Sequence, residues 1–249
     1  MYAKQVTMVD EAVFQALLAG LGTCLGATLI IMCGRMGTSS FSFFLGLASG
    51  IMTAVVLLDL LPSAFQQGRP LICLAGFIAG FALVAALDIF FSRFYEQPLP
   101  HHNYLAMGYL IAVGIALHDL PEGLAIAAGF ATPGSLGPLL ALSIGLHNIP
   151  EGMAAAAPLR AGGMSRPNII LLTALVSLIT PIGTMLGLVL IAASPLLLSG
   201  LLAFAAGAMT YIVKDKLLPE SKRLNQALAY TGIMMGFALM SAVHLLLQQ

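Results

Sequence analysis

Long apolar runs constrain this chain more than any other feature. Each of eight runs is close to the roughly 20 residues that a helix needs to cross a bilayer. They fall near residues 11–33, 41–66, 70–92, 103–130, 135–159, 168–193, 198–214 and 226–247. Only 8% of the 249 residues are Asp, Glu, Lys or Arg, against about a quarter in soluble domains. We therefore predict an all-α, polytopic membrane protein with eight transmembrane helices, forming a single domain over residues 1–249.

The distribution of Lys and Arg among the loops predicts the orientation. Basic residues concentrate in the short cytoplasmic loops of membrane proteins. With both termini outside, the outer segments hold only Lys4 and Arg69. The cytoplasmic loops then hold Arg35, Arg93, Arg160, Arg166, Lys214, Lys216, Lys222 and Arg223. We therefore predict both termini outside, in a multi-pass protein of the cell membrane, which is the bacterial inner membrane if the chain is prokaryotic.

The charge pattern excludes one class of partner. The formal net charge is zero and the basic residues are scattered rather than clustered, so no positive field attracts a polyanion. Nucleic acid is therefore not an expected partner. The lipid bilayer is an expected one, because apolar side chains make up most of the chain.

A duplicated motif carries the chemistry. Residues 115–128 read IALHDLPEGLAIAA and residues 144–157 read IGLHNIPEGMAAAA, with nine identities in fourteen positions. Because the copies lie on consecutive helices, they run in opposite directions and meet near the bilayer midplane. Inverted repeats of this kind are typical of transporters. A weaker echo, Leu-Leu-Pro after Asp59 in helix 2 and after Lys216 in helix 7, fits the same pseudo-twofold symmetry.

The spacing inside each copy predicts a metal site. His and Glu are four residues apart, so they project from one face of the helix. The two helices together offer His118, Glu122, His147 and Glu151. Imidazole nitrogens and carboxylate oxygens suit zinc and also accept other first-row divalent ions. A second, oxygen-rich site that adds Asp119 and Asn148 to the two Glu is geometrically possible. Since a charge at a helix centre costs about 2.5–3.5 kcal/mol on insertion scales, a purely structural role is less favoured.

Four further positions could assist transport. Asp59, toward the outer end of helix 2, could guide incoming cations or could simply be solvated. Met52, deep in helix 2, could face the site. His101 and His102 precede helix 4 and could briefly hold a released metal, although two histidines in a loop are more often ordinary residues.

On these residues the chain resembles the ZIP (Zrt/Irt-like) family of metal transporters, whose helices 4 and 5 carry His-Asn-x-Pro-Glu-Gly-type motifs. A Leu-Leu-Pro element in helix 2 and Leu-Leu-Pro-Glu-Ser at 217–221 add to the resemblance. It implies uptake of Zn²⁺, often with Fe²⁺, Mn²⁺, Co²⁺ or Cd²⁺, as transported substrate rather than as a cofactor. It also implies a two-metal midplane site, with Asp119 and Asn148 at second-site positions, and allows a homodimer.

One departure from the family pattern lies in helix 6. There the family commonly has Glu before Pro-x-Gly, whereas Thr180 precedes Pro181 here. The second metal site is therefore expected to be weakened, lost or converted to another role, with Thr180 as a possible accessory residue. The compact chain, without a long histidine-rich loop, looks like a prokaryotic member.

Three functions stay open on the residues alone. They are a divalent-metal importer, an intramembrane zinc-dependent hydrolase, and a proton-relay transporter of a non-metal solute. The hydrolase would need a nucleophile or a His-Glu-x-x-His helix, and the sequence contains neither. Metal transport is therefore the predicted function, and the protein is not expected to be an enzyme.

Overall fold

The computed structural model describes the backbone of residues 2–32, 37–94, 100–131, 136–190 and 195–247. All of these segments are helical apart from short turns, and none of their residues forms a strand. The helices group into eight rods: α1, Tyr2–Met32; α2, Thr38–Ala54, Val55–Leu60 and Leu61–Gln67; α3, Pro70–Phe94; α4, Pro100–Ala131; α5, Leu136–Ala161; α6, Arg166–Ser177 and Ile179–Leu190; α7, Pro195–Ile212, Val213–Leu217 and Leu218–Leu224; and α8, Gln226–Leu247. The predicted all-α class is confirmed.

Seven of these rods are long and apolar enough to cross a bilayer, judged on the described residues. The eighth, α5, falls short because His147, Asn148 and Glu151 occupy its middle. Those polar side chains are buried rather than exposed to lipid. The chain is therefore a multi-pass membrane protein, and α5 is a helix whose low hydropathy comes from the site that it carries.

The packing of the rods repeats about a pseudo-twofold axis. The most extensive contacts join α1 to α5, α2 to α8, α3 to α7, and α4 to α6. Exchanging α4 with α5, α1 with α6, α2 with α7 and α3 with α8 turns each of these pairs into another. This exchange agrees with the predicted inverted repeat. It also extends the repeat to α1, α3, α6 and α8, which no motif had marked.

Glycine makes the two central contacts close. Gly123 of α4 lies against the carbonyl of Thr180 in α6, and Gly152 of α5 lies against the carbonyl of Thr23 in α1. A Cβ at either glycine would overlap that carbonyl oxygen. Small residues permit such backbone approach in membrane helices. The motif glycines therefore set how near the site-bearing helices come to their neighbours.

Two Leu-Leu-Pro elements each follow a π-helical segment. Val55–Leu60 precedes Pro62 in α2, and Val213–Leu217 precedes Pro219 in α7. A proline ring clashes with the carbonyl four residues earlier, and the wider π-helical turn relieves that clash. The similarity between helices 2 and 7 is therefore present in the structure as well as in the sequence.

Three predicted helix bounds were wrong. The first helix begins at Tyr2 rather than near residue 11. Helix 6, expected to be continuous, is interrupted at Leu178, whose N–H bonds to the carbonyl of Leu175 in a tighter turn just before Pro181. Helix 7 runs on to Leu224 rather than ending near 214, because its π-helical segment carries it past the charged residues that had suggested an end.

Candidate metal site

Two reciprocal pairs form the centre of the site. His118 Nε2 of α4 lies 2.9 Å from Glu151 Oε2 of α5. His147 Nε2 of α5 lies 3.0 Å from Glu122 Oε1 of α4. All four residues are at most 3% exposed. The structure therefore brings the four predicted residues together, and each His pairs with the Glu of the other helix rather than with the Glu on its own.

The two imidazoles are held differently. His118 Nδ1 lies 3.0 Å from the carbonyl oxygen of Gly114, and because a carbonyl only accepts, Nδ1 carries the proton of that bond. Nε2 is thereby directed toward Glu151, the arrangement by which a backbone carbonyl orients a metal-binding histidine. His147 Nδ1 has no hydrogen-bond partner. Only the histidine of α4 is thus fixed at both ring nitrogens.

The spacing of the ligand atoms fits a metal ion. One atom from each of His118, Asp119 and Glu122 lies within 4.8 Å of the others, and His118 Nε2 is 3.4 Å from Asp119 Oδ1. Ligands bound at about 2.0–2.2 Å to a tetrahedral zinc ion are separated by roughly 3.4 Å. Small side-chain adjustments would therefore admit an ion between the imidazole and the carboxylates.

Five buried oxygen atoms beside the two pairs have no hydrogen-bond partner. They belong to four residues: both carboxylate oxygens of Asp119, Oδ1 of Asn148, Oε2 of Glu122 and Oε1 of Glu151. The Asn148 amide is oriented by its Nδ2, which donates to the Ala19 carbonyl at 3.0 Å. Unpartnered buried acceptors are costly. These oxygens belong to the four residues of the predicted oxygen-rich second position, and a cation bound among them would supply a partner.

Buried hydroxyl groups also lie on α1 and α6, the helices that pack against the motif glycines. Thr23, Ser177 and Thr180 are at most 1% exposed, and none of their side-chain oxygens has a hydrogen-bond partner. Thr180 was a predicted accessory residue, whereas sequence reasoning missed Thr23 and Ser177. A signal was present, because Thr23-x-x-Gly26 in α1 matches Thr180-x-x-Gly183 in α6, the two helices that exchange under the pseudo-twofold.

The structure places the remaining predicted positions, where their side chains are described, in different surroundings. Met52 is fully buried in the main hydrophobic core. Asp59 is partly exposed and its Oδ1 lies 2.6 Å from His244 Nδ1 of α8. The side chains of His101 and His102 fall outside the described part of the structure, so their predicted role in release stays a prediction.

A cavity connects the site with one end of the bundle. It has a volume of about 410 Å³ and is lined by residues of α2, α4, α5 and α7. Glu122 and His147 line its inner part, and Asp59, Ser63 and the exposed Gln66 line the part toward the end of α2. The central residues are thus accessible from the end where α2 and α4 finish and α5 begins.

Polar contacts tie the helices together at the opposite end. The Tyr104 hydroxyl of α4 donates to Glu220 Oε1 of α7 at 2.6 Å, and Arg223 donates to both oxygens of the same carboxylate. Ser42 of α2 and Ser221 of α7 each donate to the backbone carbonyl of the other. These contacts hold α2, α4 and α7 together at the end of the bundle away from the cavity.

A bundle of membrane-crossing helices around a buried imidazole and carboxylate cluster, accessible from one end, defines a membrane transporter of cations. Residues 99–244 match the family model described as ZIP Zinc transporter. The chain is 32% identical to Zinc transporter GufA of Myxococcus xanthus over 241 residues, covering 90% of this chain and 94% of that protein. It is 31% identical to Zinc transporter ZupT of Chlorobium phaeovibrioides over 259 residues, covering 95% and 97%.

The chain belongs to the ZIP zinc transporter family. The chain is also 31% identical to Zinc transporter ZupT of an Enterobacter strain, covering 93% of this chain and 95% of that protein. The family predicted from the paired motif is thereby confirmed. So is its general class, a multi-pass membrane protein of divalent-metal transport.

Proposed function

We propose that this protein carries divalent cations, zinc foremost, into the cytoplasm through His118, Glu122, His147 and Glu151. The observation that carries the proposal is the reciprocal pairing of two imidazoles and two carboxylates in the buried centre of the bundle. Two ionised Glu would balance the charge of one divalent ion. The relatives named as zinc transporters support the choice of zinc.

The ligand types also bear on other metals. Nitrogen and oxygen donors without thiolate favour zinc but accept Fe²⁺, Mn²⁺, Co²⁺ and Cd²⁺, whose selection depends on geometry and availability. No cysteine is among the ligand residues in the described part of the structure. We therefore expect a range of divalent ions to compete, with zinc ahead of manganese.

The second position would use Asp119 and Asn148 together with Glu122 and Glu151. Their unpartnered oxygens form an acceptor set that a cation or its hydration water would satisfy. Thr180, with its neighbours Thr23 and Ser177, supplies neutral hydroxyls where a further carboxylate would add charge. The second position is therefore expected to hold a cation more weakly than the first, which suits an ion in transit.

Transport would proceed from the cavity end to the opposite end of the bundle. A cation that enters past Asp59 reaches Glu122 and His147, which line the inner part of the cavity, and then His118 and Glu151. Binding would displace the protons that the His and Glu pairs share, because only deprotonated ligands coordinate a metal. Release would require the contacts at the opposite end to open, as in alternating access about a central site.

The unit of transport is proposed to be the whole chain, residues 1–249, with both termini outside. Large exposed apolar side chains on α1, α3, α6 and α8 would face lipid, among them Leu18, Leu71, Leu175 and Leu239. A homodimer would be compatible with this surface and stays a prediction from the family resemblance. The bacterial inner membrane is the proposed location.

Uptake of radioactive zinc into proteoliposomes tests the proposal. Wild-type protein is expected to accumulate zinc, and Glu122→Gln and Glu151→Gln should each remove nearly all uptake, because they delete a ligand charge without changing side-chain size. Glu11→Gln makes the same chemical change at an exposed acid of α1 and should leave uptake unchanged. Metal-dependent lipid cleavage would indicate the hydrolase instead. Proton flux that is insensitive to metal would indicate transport of another solute.

A further inference from the structure

A His–Asp pair links α2 to α8 at the cavity. Asp59 Oδ1 lies 2.6 Å from His244 Nδ1, and the side chains are 31% and 17% exposed. Both exposures are larger than those of the four central residues, which are at most 3% exposed. Imidazole and carboxylate are also the two ligand types of the central site.

The pair stands on the route to that site. Asp59 lines the same cavity as His147 and Glu122. Asp59 also lies within the π-helical segment Val55–Leu60. Segments of this kind are frequent at functional sites, where they redirect side chains.

The pseudo-twofold supplies an internal comparison. Under the exchange of α2 with α7 and of α3 with α8, Asp59 becomes Lys216 and the α2–α8 pair becomes the α7–α3 pair. Lys216 Nζ contacts Asp88 Oδ2 at 2.5 Å, so a polar side-chain pair is present in both places. Its composition differs, because an ammonium group has no lone pair for a metal while an imidazole has one. Only the pair at the cavity can bind a metal through both side chains.

From this juxtaposition we propose that Asp59 and His244 form a recruiting site for divalent cations at the mouth of the cavity. The inference rests on the proposed function, since it supplies the step before the central residues. A zinc ion bound to both side chains would separate the N and O atoms to roughly 3.4 Å, so the pair opens by less than one ångström and releases its shared proton to solvent. Water and the oxygens of Ser63 and Gln66, which line the same cavity, complete the ligand set.

Only one imidazole and one carboxylate bind the ion, and its other ligands are neutral oxygens, so the site is weak and readily exchanged. That property suits recruitment, because an ion held tightly at the mouth would not move on to His147. The site therefore acts on the concentration of zinc at which transport saturates and leaves the maximal rate nearly unchanged.

Initial rates of zinc uptake into proteoliposomes, measured against zinc concentration, test the inference. Asp59→Asn keeps the shape and hydrogen-bonding capacity of the side chain but removes its charge, and it should raise KM roughly fivefold at nearly constant maximal rate. His244→Gln should do the same. Asp88→Asn breaks the equivalent pair at the other end of the bundle and should leave KM at the wild-type value.

Asp59→His separates a metal site from a structural contact. An imidazole pair holds zinc more tightly, so both KM and the maximal rate should fall, whereas a purely structural pair gives no reason for KM to fall. Unchanged KM in His244→Gln and Asp59→His, in a wild type that transports zinc, would overturn the inference. If Asp59→Asn fails to fold, these two variants still decide the matter.

Binding of Co²⁺ gives a measure independent of transport. In a chain carrying Glu122→Gln and Glu151→Gln, the visible absorption of bound Co²⁺ should reveal one weak site, and adding His244→Gln should remove it. Absence of that weak site overturns the recruiting site alone. Wild-type proteoliposomes that take up no zinc would instead overturn the proposed function.

Discussion

The centre of the bundle and its two ends use the internal repeat differently. At the centre, exchanging α4 with α5 leaves the chemistry nearly the same, since each His meets the Glu of the other helix at about the same distance. At the ends, the same operation replaces Asp59 by Lys216 and reverses the charge within the π-helical segment. The repeat is thus preserved at the site and altered along the path to it.

The difference follows from what each region has to do. A central site that is exposed alternately to two sides presents the same ligands to both, and a reciprocal pair of motifs provides this. The ends meet the ion at different stages. A carboxylate would raise the local concentration of cations at the cavity, whereas the ammonium group at the equivalent position is paired with Asp88. Under the proposed function, the symmetry at the centre serves binding, and its loss distinguishes the cavity end from the other end.

Replacing each histidine by glutamine should have the largest effect, and it tests whether the two halves of the central site are equivalent. His118→Gln should lower zinc uptake roughly tenfold more than His147→Gln, which is within the roughly 10–100-fold that a group orienting a metal ligand contributes. The reason is that Gly114 orients the His118 ring, while His147 Nδ1 has no partner. Uptake by proteoliposomes carrying equal amounts of each variant measures both losses. Equal losses would mean that the anchored ring gives no advantage.

Substitutions at the two motif glycines should have a smaller effect, on stability. Gly123→Ala and Gly152→Ala each place a methyl group on the carbonyl oxygen of a neighbouring helix, at Thr180 and Thr23 respectively. Each should cost about 1–3 kcal/mol of stability, as overpacking of a core does. Thermal unfolding in detergent, followed by intrinsic tyrosine fluorescence, measures the loss.

The control for that prediction is Gly200→Ala. Its added Cβ would meet only Ile72, at 3.4 Å, so its unfolding temperature should match or exceed that of wild type. If only one of the two motif glycines tolerates alanine, the pseudo-twofold packing is less equal than the contacts indicate.

Most of the fold could be predicted because each membrane-crossing helix leaves an apolar run. The break at Leu178 could not, since the apolar pattern continues through it and only Pro181 hints at the interruption. The length of α7 was also hidden, because Lys214 and Lys216 suggested an interface while the helix in fact continues through a π-helical segment.

For the site as well, local features could be predicted from the sequence, whereas features that depend on tertiary packing could not. Four-residue spacing predicted which His and Glu share a helix face, and it did so without an alignment. It could not predict that His118 pairs with Glu151, because that choice depends on how α4 and α5 are rotated against each other by contacts with α1 and α6. Thr23 and Ser177 were missed for a related reason, since a lone hydroxyl in an apolar helix gains meaning only from its neighbours.

The smallest expected effect concerns the contacts at the end of the bundle away from the cavity. It tests whether that end differs in function from the cavity end. Tyr104→Phe removes the hydrogen bond that the hydroxyl donates to Glu220 and the one that it accepts from Arg223, each worth about 0.5–1.5 kcal/mol. It therefore makes the contacts between α4 and α7 easier to open. If opening there limits turnover, the maximal rate of zinc uptake should rise about twofold while KM stays constant. That is the reverse of the pattern expected for Asp59→Asn. Tyr230→Phe removes a hydroxyl from an exposed tyrosine of α8 and should change neither quantity, whereas a shift in KM caused by Tyr104→Phe would show that the two ends do not divide recruitment and release between them.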